Sequence, residues 1–122
     1  MPTWENTDQL TAIDAGSELR VAPDRPDGSR QAPRIIWHVV VDGALFVRSA
    51  HGADGAWYRA ALRTGTGSID AGGVRTDVTF TPDHAHDDAI DAAYRAKYGT
   101  GSAVRSITSA VATPTTLRVD PR

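Results

Sequence analysis

The side chains able to do chemistry in this sequence are few and fall in short stretches. Arg48-Ser49-Ala50-His51 sets a cation, a hydroxyl and an imidazole side by side where an apolar run gives way to a polar loop. Loops at strand ends are where binding groups collect. A second imidazole, His38, lies inside the apolar run Ile35 to Val41; a histidine so placed is either a core residue satisfied by one hydrogen bond or an acid–base group. His38 and His51 are the candidate catalytic residues. His84-Ala85-His86-Asp87-Asp88 has metal-ligand residue types, but its imidazoles share a side only in an extended chain, and the stretch leads into a helix start. No metal site is assigned there. Ser49, His51 and Asp54 stand too close together for a nucleophile triad, and no G-x-S-x-G turn is present. Gly65, Gly67, Gly72 and Gly73 match neither a dinucleotide fingerprint nor a phosphate-binding loop and read as turn residues.

Composition narrows the chemistry further. The 122 residues include no cysteine, which removes disulfides, thiol nucleophiles, thiolate zinc and iron–sulfur clusters. Thirteen Lys and Arg against 15 Asp and Glu give a formal charge of −2; this supplies no general field for a polyanion, so nucleic acid is not an expected partner. With 40% hydrophobic residues and three Trp, the chain has the makings of one globular domain over residues 1–122. Met1 to Asp8 is polar and acidic where a secretory signal would be basic and then apolar, and Ile35 to Val41 is far too short to span a bilayer. A cytoplasmic protein with no membrane partner is expected.

The elements that must hold these groups can be read from periodicity. TDQLTAIDAG carries Leu10 and Ile13 at helical spacing and ends at Gly16; SELRV then alternates as a strand. Asp24 to Pro33 is crowded with Pro and Gly and reads as an exposed loop. RIIWHVVVDGALFVRS gives strands at Arg34 to Val41 and Ala44 to Arg48 around the turn dipeptide Asp42-Gly43. The first of these strands is apolar at nearly every position, which implies cover on both faces, as inside a barrel or at a subunit contact; a homodimer is expected. Asp54 can cap a helix bearing Trp57, Ala60 and Ala61 on one side and Arg59 and Arg63 on the other. A second hairpin turns at Ala71-Gly72-Gly73, and its outgoing strand sets Val74, Thr76, Val78 and Phe80 on one face. DDAIDAAYRAKYG is a helix with a stripe of Ile90, Ala93, Tyr94 and Tyr98 and an Asp91–Arg95 pair four apart, and TTLRVDP is a last strand. Hairpins without a βαβ rhythm define a mainly β (α+β) fold, a small barrel of about six mostly antiparallel strands with two or three short helices.

The succession IWHVVVDGALFVRS, HG, WYRAAL, IDAGGVRTDVTF and IDAAYRAKYG resembles the bacterial proteins grouped as domain of unknown function family 2255, from about Trp4 to the last strand. More distantly, a strand ending in Ser-x-x-Gly before a Trp-Tyr helix, here Ser49, Gly52, Trp57 and Tyr58, resembles the nitroreductase-like split β-barrel oxidoreductases that use flavin or deazaflavin. That resemblance implies a split barrel in which Arg48, Ser49, Ala50, His51 and Gly52 lie along a deazaflavin or FMN ring. Trp57, Tyr58 and Arg59 would close the site from the helix. The implied activity is hydride transfer between that ring and a small organic acceptor, with the protein supplying orientation and electrostatics and the Arg48 fork suited to an anionic group. The basic N-terminal phosphate-binding segment of those enzymes is replaced here by the Pro-rich loop with only Arg25, Arg30 and Arg34. Two other classes stay open: a cofactor-free isomerase or cyclase using His38 or His51 as acid–base group on a small metabolite, and a non-catalytic dimeric binding protein.

Overall fold

Two tight turns organise the sheet. Asp42 and Gly43 take φ values of 54° and 77°, and Gly72 and Gly73 take 57° and 81°; paired left-handed residues of this kind match the twist of the strands they join. The first turn connects β3 (His38–Val41) to β4 (Ala44–Val47) and the second connects β5 (Thr66–Ala71) to β6 (Val74–Pro82). The structure, a computed structural model, describes Trp4 and residues 7–122, so most of the polar stretch Met1 to Asp8 lies outside the described residues. The other strands are β1 (Leu19–Pro23), β2 (Arg34–Ile36) and β7 (Leu117–Pro121). The helices are α1 (Thr7–Ala15), α2 (Ala56–Thr64), α3 (Asp87–Tyr98) and α4 (Ser102–Ile107), with single 3₁₀ turns at Gly52–Asp54 and Thr113–Thr115.

All seven strands make one antiparallel sheet in the order β2-β1-β5-β6-β7-β4-β3. Its two edges are consecutive in the chain: Ile36 pairs with Leu19 of β1, and His38 pairs with Val47 of β4. Trp37 alone joins them, so the sheet curls into a nearly closed barrel that is split at this point. The mainly β barrel read from the sequence is the fold. The described residues form seven strands because the run Arg34 to Val41 is cut at Trp37 into strands of opposite edges. A fourth helix forms in the Gly/Ser/Thr-rich connection after α3. Asp54 belongs to the 3₁₀ turn, and α2 starts from Gly55 without a side-chain cap.

Inside the barrel pack Leu19, Val21, Leu45, Val47, Ile69, Val78, Leu117 and Val119, closed at one end by Leu10 and Ile13 of α1 and joined by Tyr58 and Ala61 of α2. A second apolar layer lies outside, where Val39 and Phe46 meet Ile90 and Tyr94 of α3 and Val104 and Ile107 of α4. These layers explain why β3 is apolar on both faces: its own helices cover the outer one, and no second chain is needed for that purpose. Ile35, on the opposite edge strand, is 52% exposed. No helix among the described residues is long and apolar enough to cross a membrane.

Candidate functional site

Strand parity decides where the candidate loop begins. Along β4, Leu45 and Val47 enter the barrel and Phe46 faces outward, so the next outward side chain is Arg48. Its side chain is fully buried beneath α3 and α4. Nε donates to Thr116 Oγ1 at 2.8 Å; Nη1 donates to the Asp91 carboxylate and to the Ile107 carbonyl at 3.3 Å; Nη2 donates to the Asp87 carbonyl at 3.2 Å, with the Asp87 carboxylate 3.7 Å away. The guanidinium also stands over the Tyr94 ring, 5.7 Å from its centroid. Arg48 is thus a pin between the β4 end and two helices rather than a free fork. Asp91 serves this pin instead of the within-helix partner Arg95 expected from spacing.

Beyond Arg48 the chain turns sharply. The Ser49 N–H donates to Thr115 Oγ1 at 2.8 Å, and the Gly52 N–H donates back to the Ser49 carbonyl at 2.9 Å. Gly52 has φ of 72°, and a Cβ there would stand 2.6 Å from the Val111 side chain, so both conformation and space require glycine. The Ser49 hydroxyl is packed onto Gly55 and has no partner among the described residues. Ala50 and His51 are left exposed at the crest of the turn.

That crest forms one wall of a cleft of about 390 Å³, within the size range of small-molecule sites. Facing it are Ile35 and Ile36 of β2 and the joining residue Trp37; α2 contributes Trp57, α4 contributes Ala103, Ser106 and Ile107, and Arg48 lies at the base. Trp37 is braced from behind by Tyr98, whose ring stacks on it at 4.1 Å and 9°. Four residues singled out from the sequence, Arg48, Ala50, His51 and Trp57, therefore meet in one cleft. Ser49, Gly52, Tyr58 and Arg59 do not line it: the first three are buried in the protein, and Arg59 projects from α2 into solvent. Trp37 and the α4 wall were missed in the sequence. The uniform apolar run hid the first, and the polar composition around α4 hid the second, although Val104 and Ile107 stand at helical spacing.

His38 is fully buried. Its Nε2 lies 2.6 Å from the Ile13 carbonyl, which can only accept, so Nε2 carries the proton and ties β3 to α1. Lys97 Nζ donates to the His38 carbonyl at 3.1 Å and lies 3.7 Å from Asp14, while Nδ1 of His38 is buried with no partner among the described residues. Burial holds this imidazole below its ordinary pKa, with Lys97 acting in the same direction against the Ile13 bond and Asp14. The unfolded chain binds the proton first, near pH 6.5, so stability is full above that value and falls as pH drops below it. Denaturant melts between pH 7.5 and 5.5 should show this loss at no more than about 1.4 kcal/mol per pH unit for the one proton. The slope should flatten in His38→Gln; an unchanged slope would show that His38 is not its source.

The remaining candidates do not build a site. His84 Nδ1 is 3.1 Å from Asp87, and among the described residues no three His, Asp or Glu side chains gather as metal ligands. A groove of about 530 Å³ on the outer face of β1 and β5 includes Arg20, Asp70 and Arg75; these are register partners across three strands, a charge ladder on a solvated sheet face.

A curled antiparallel sheet whose edges meet at one residue, with an apolar cleft beside that join, defines a split-barrel protein. The chain belongs to the family described as "Uncharacterized protein conserved in bacteria (DUF2255)", which matches residues 9–119. Among solved structures it shares its fold with HutZ, the heme storage protein from Vibrio cholerae, with a TM-score of 0.69 and 13% identity over 96% of this chain and 89% of that one. An F420 reductase gives a TM-score of 0.57 and 17% identity over 92% of this chain and 91% of that one. Campylobacter jejuni ChuZ gives a TM-score of 0.65 and 10% identity over 95% of this chain, which spans 52% of ChuZ. No curated protein sequence matches the chain.

Proposed function

We propose that this protein binds a planar small molecule of the flavin or deazaflavin type in the cleft between Trp37, Trp57 and the Ala50-His51 crest. The observation that carries the reading is the meeting of two indoles, 20 positions apart in sequence, across a largely apolar cleft. Indoles offer flat faces for a ring, and the small Ala50 leaves room for it to approach the loop backbone. The ring of such a cofactor suits these residues. Its phosphate finds no free cation among them, since Arg48 is already engaged. Bound there, the ring would supply hydride transfer to or from a small organic acceptor.

The chain's own part is positional. Tyr98 holds Trp37 as a fixed face, Arg48 pins the loop, and the exposed His51 imidazole can hold or release a proton at the ligand's edge. His51 also supports the alternative of acid–base catalysis without a cofactor; enclosure removes His38 from contact with a ligand. A cytoplasmic homodimer, with Ile35 at the contact, belongs to the same reading and is checked by light scattering.

Tryptophan fluorescence tests the site. Riboflavin or a deazaflavin should quench emission. Quenching should survive Trp4→Phe, whose indole is buried and donates to the Val119 carbonyl at 2.8 Å. It should fall by roughly half in each of Trp37→Phe and Trp57→Phe, since each indole supplies one stacking face. Melting curves establish that each variant is folded. Full quenching in folded forms of both cleft variants would move the site elsewhere.

A further inference from the structure

The charge at the base of the cleft points to a narrower ligand class. We infer that the cleft selects an uncharged aromatic ring and disfavours the phosphorylated form of the same ring; this rests on the ring-binding reading above. The ionisable side chains lining the cleft are Arg48 and His51. A guanidinium has five N–H donors, and those of Arg48 are directed to Thr116, Asp91, Ile107 and both the carbonyl and carboxylate of Asp87. Four of them are hydrogen-bonded and the fifth is turned toward the Asp87 carboxylate at 3.7 Å, so no pair of donors is left for the bidentate contact that makes arginine a phosphate ligand. One guanidinium faces two carboxylates here, so this cluster carries a surplus of negative charge. Asp87 and Asp91 keep partial exposure, 27% and 21% of their side chains, and partly buried charges such as these are screened incompletely by salt and water. An arriving phosphate dianion meets like charge and no guanidinium fork free to hold it.

The polar groups that do face the cleft suit neutral partners. Ser106 Oγ donates to the Ser102 carbonyl at 3.2 Å, which leaves its lone pairs free to accept from a ring N–H. The His51 imidazole offers a donor or an acceptor to a ring carbonyl or nitrogen. An uncharged heteroaromatic with an N–H and carbonyl edge between two indole faces satisfies every one of these features.

Riboflavin and FMN differ only by the phosphate, so their comparison reads the inference directly. Titrations of the whole protein in 20 mM and 300 mM NaCl should show riboflavin binding at least fivefold more tightly than FMN at low salt. Added salt should narrow that gap by screening the repulsion, while leaving riboflavin nearly unchanged. Asp87→Asn removes one carboxylate but keeps the backbone carbonyl that receives Arg48; it should narrow the gap at low salt. If that variant fails to fold, the salt series on the unaltered protein decides alone. Equal affinities, or FMN the tighter ligand with affinity that falls as salt rises, would overturn the charge selection while leaving the ring site standing. Binding of neither flavin would overturn both.

Discussion

Arg48→Ala should lose about 3 kcal/mol of folding stability, near the low end of the range for breaking a buried ion pair because Asp87 and Asp91 retain some water. In a chain of this length that is a fall in melting temperature of roughly 12 °C. The substitution leaves the Thr116 hydroxyl with only its own bond to the Thr113 carbonyl and weakens three junctions together: the β4 end, the start of α3 and the end of α4. Arg48→Lys should recover only part of the loss, since an ammonium keeps the charge but cannot reach Thr116, Asp91 and the Asp87 carbonyl with one planar fork. Thermal melts of the two variants check this. A variant with wild-type stability in which only ligand affinity falls would show that Arg48 is a ligand contact and not a pin.

Gly72→Ala should be of similar size. The residue sits at φ of 57° in the β5–β6 turn, and a Cβ there would overlap the Ala12 carbonyl of α1. Left-handed backbone costs an alanine roughly 1–2 kcal/mol, and forcing atoms into a packed contact adds roughly 1–3 kcal/mol. The expected loss is about 3 kcal/mol. Gly73→Ala is the control: its φ is 81° but nothing lies within 4 Å of the added carbon, so only the backbone cost of roughly 1–2 kcal/mol applies. Chemical denaturation of both variants separates the two contributions. Equal losses would mean that α1 yields freely to the added methyl.

The contrast between local and distant information runs through the whole molecule. Asp42-Gly43 and Gly72-Gly73 declared their turns because a two-residue hairpin demands positive φ at both positions, and the demand is written in two adjacent letters. Alternation along Leu45 to Arg48 was equally legible and fixes Arg48 on the face of Phe46. What that face meets was not legible: its partners on α3 and α4 arrive from 39 to 59 positions away, and Asp91 had a plausible nearer partner in Arg95. Parity therefore gave the direction of Arg48 and could not give its partners. The strand break at Trp37 was hidden for the same reason. Ile36 and His38 sit in one uninterrupted strand-like run, and only the positions of β1 and β4 assign them to opposite edges.

The place of β7 carries a consequence for how the chain comes together. It lies between β6 and β4 and hydrogen-bonds to both, so the last of the seven described strands in chain order is an inner stave of the barrel. Before residues 117–121 emerge, β2-β1-β5-β6 and the β3–β4 hairpin can exist only as separate ribbons linked through Trp37, each with an open edge. Contacts this distant in sequence are slow to form, and open edges invite pairing with other chains. Vectorial synthesis thus leaves the two ribbons apart from the completion of β6 until β7 is made, and the insertion of that one strand converts them into one sheet.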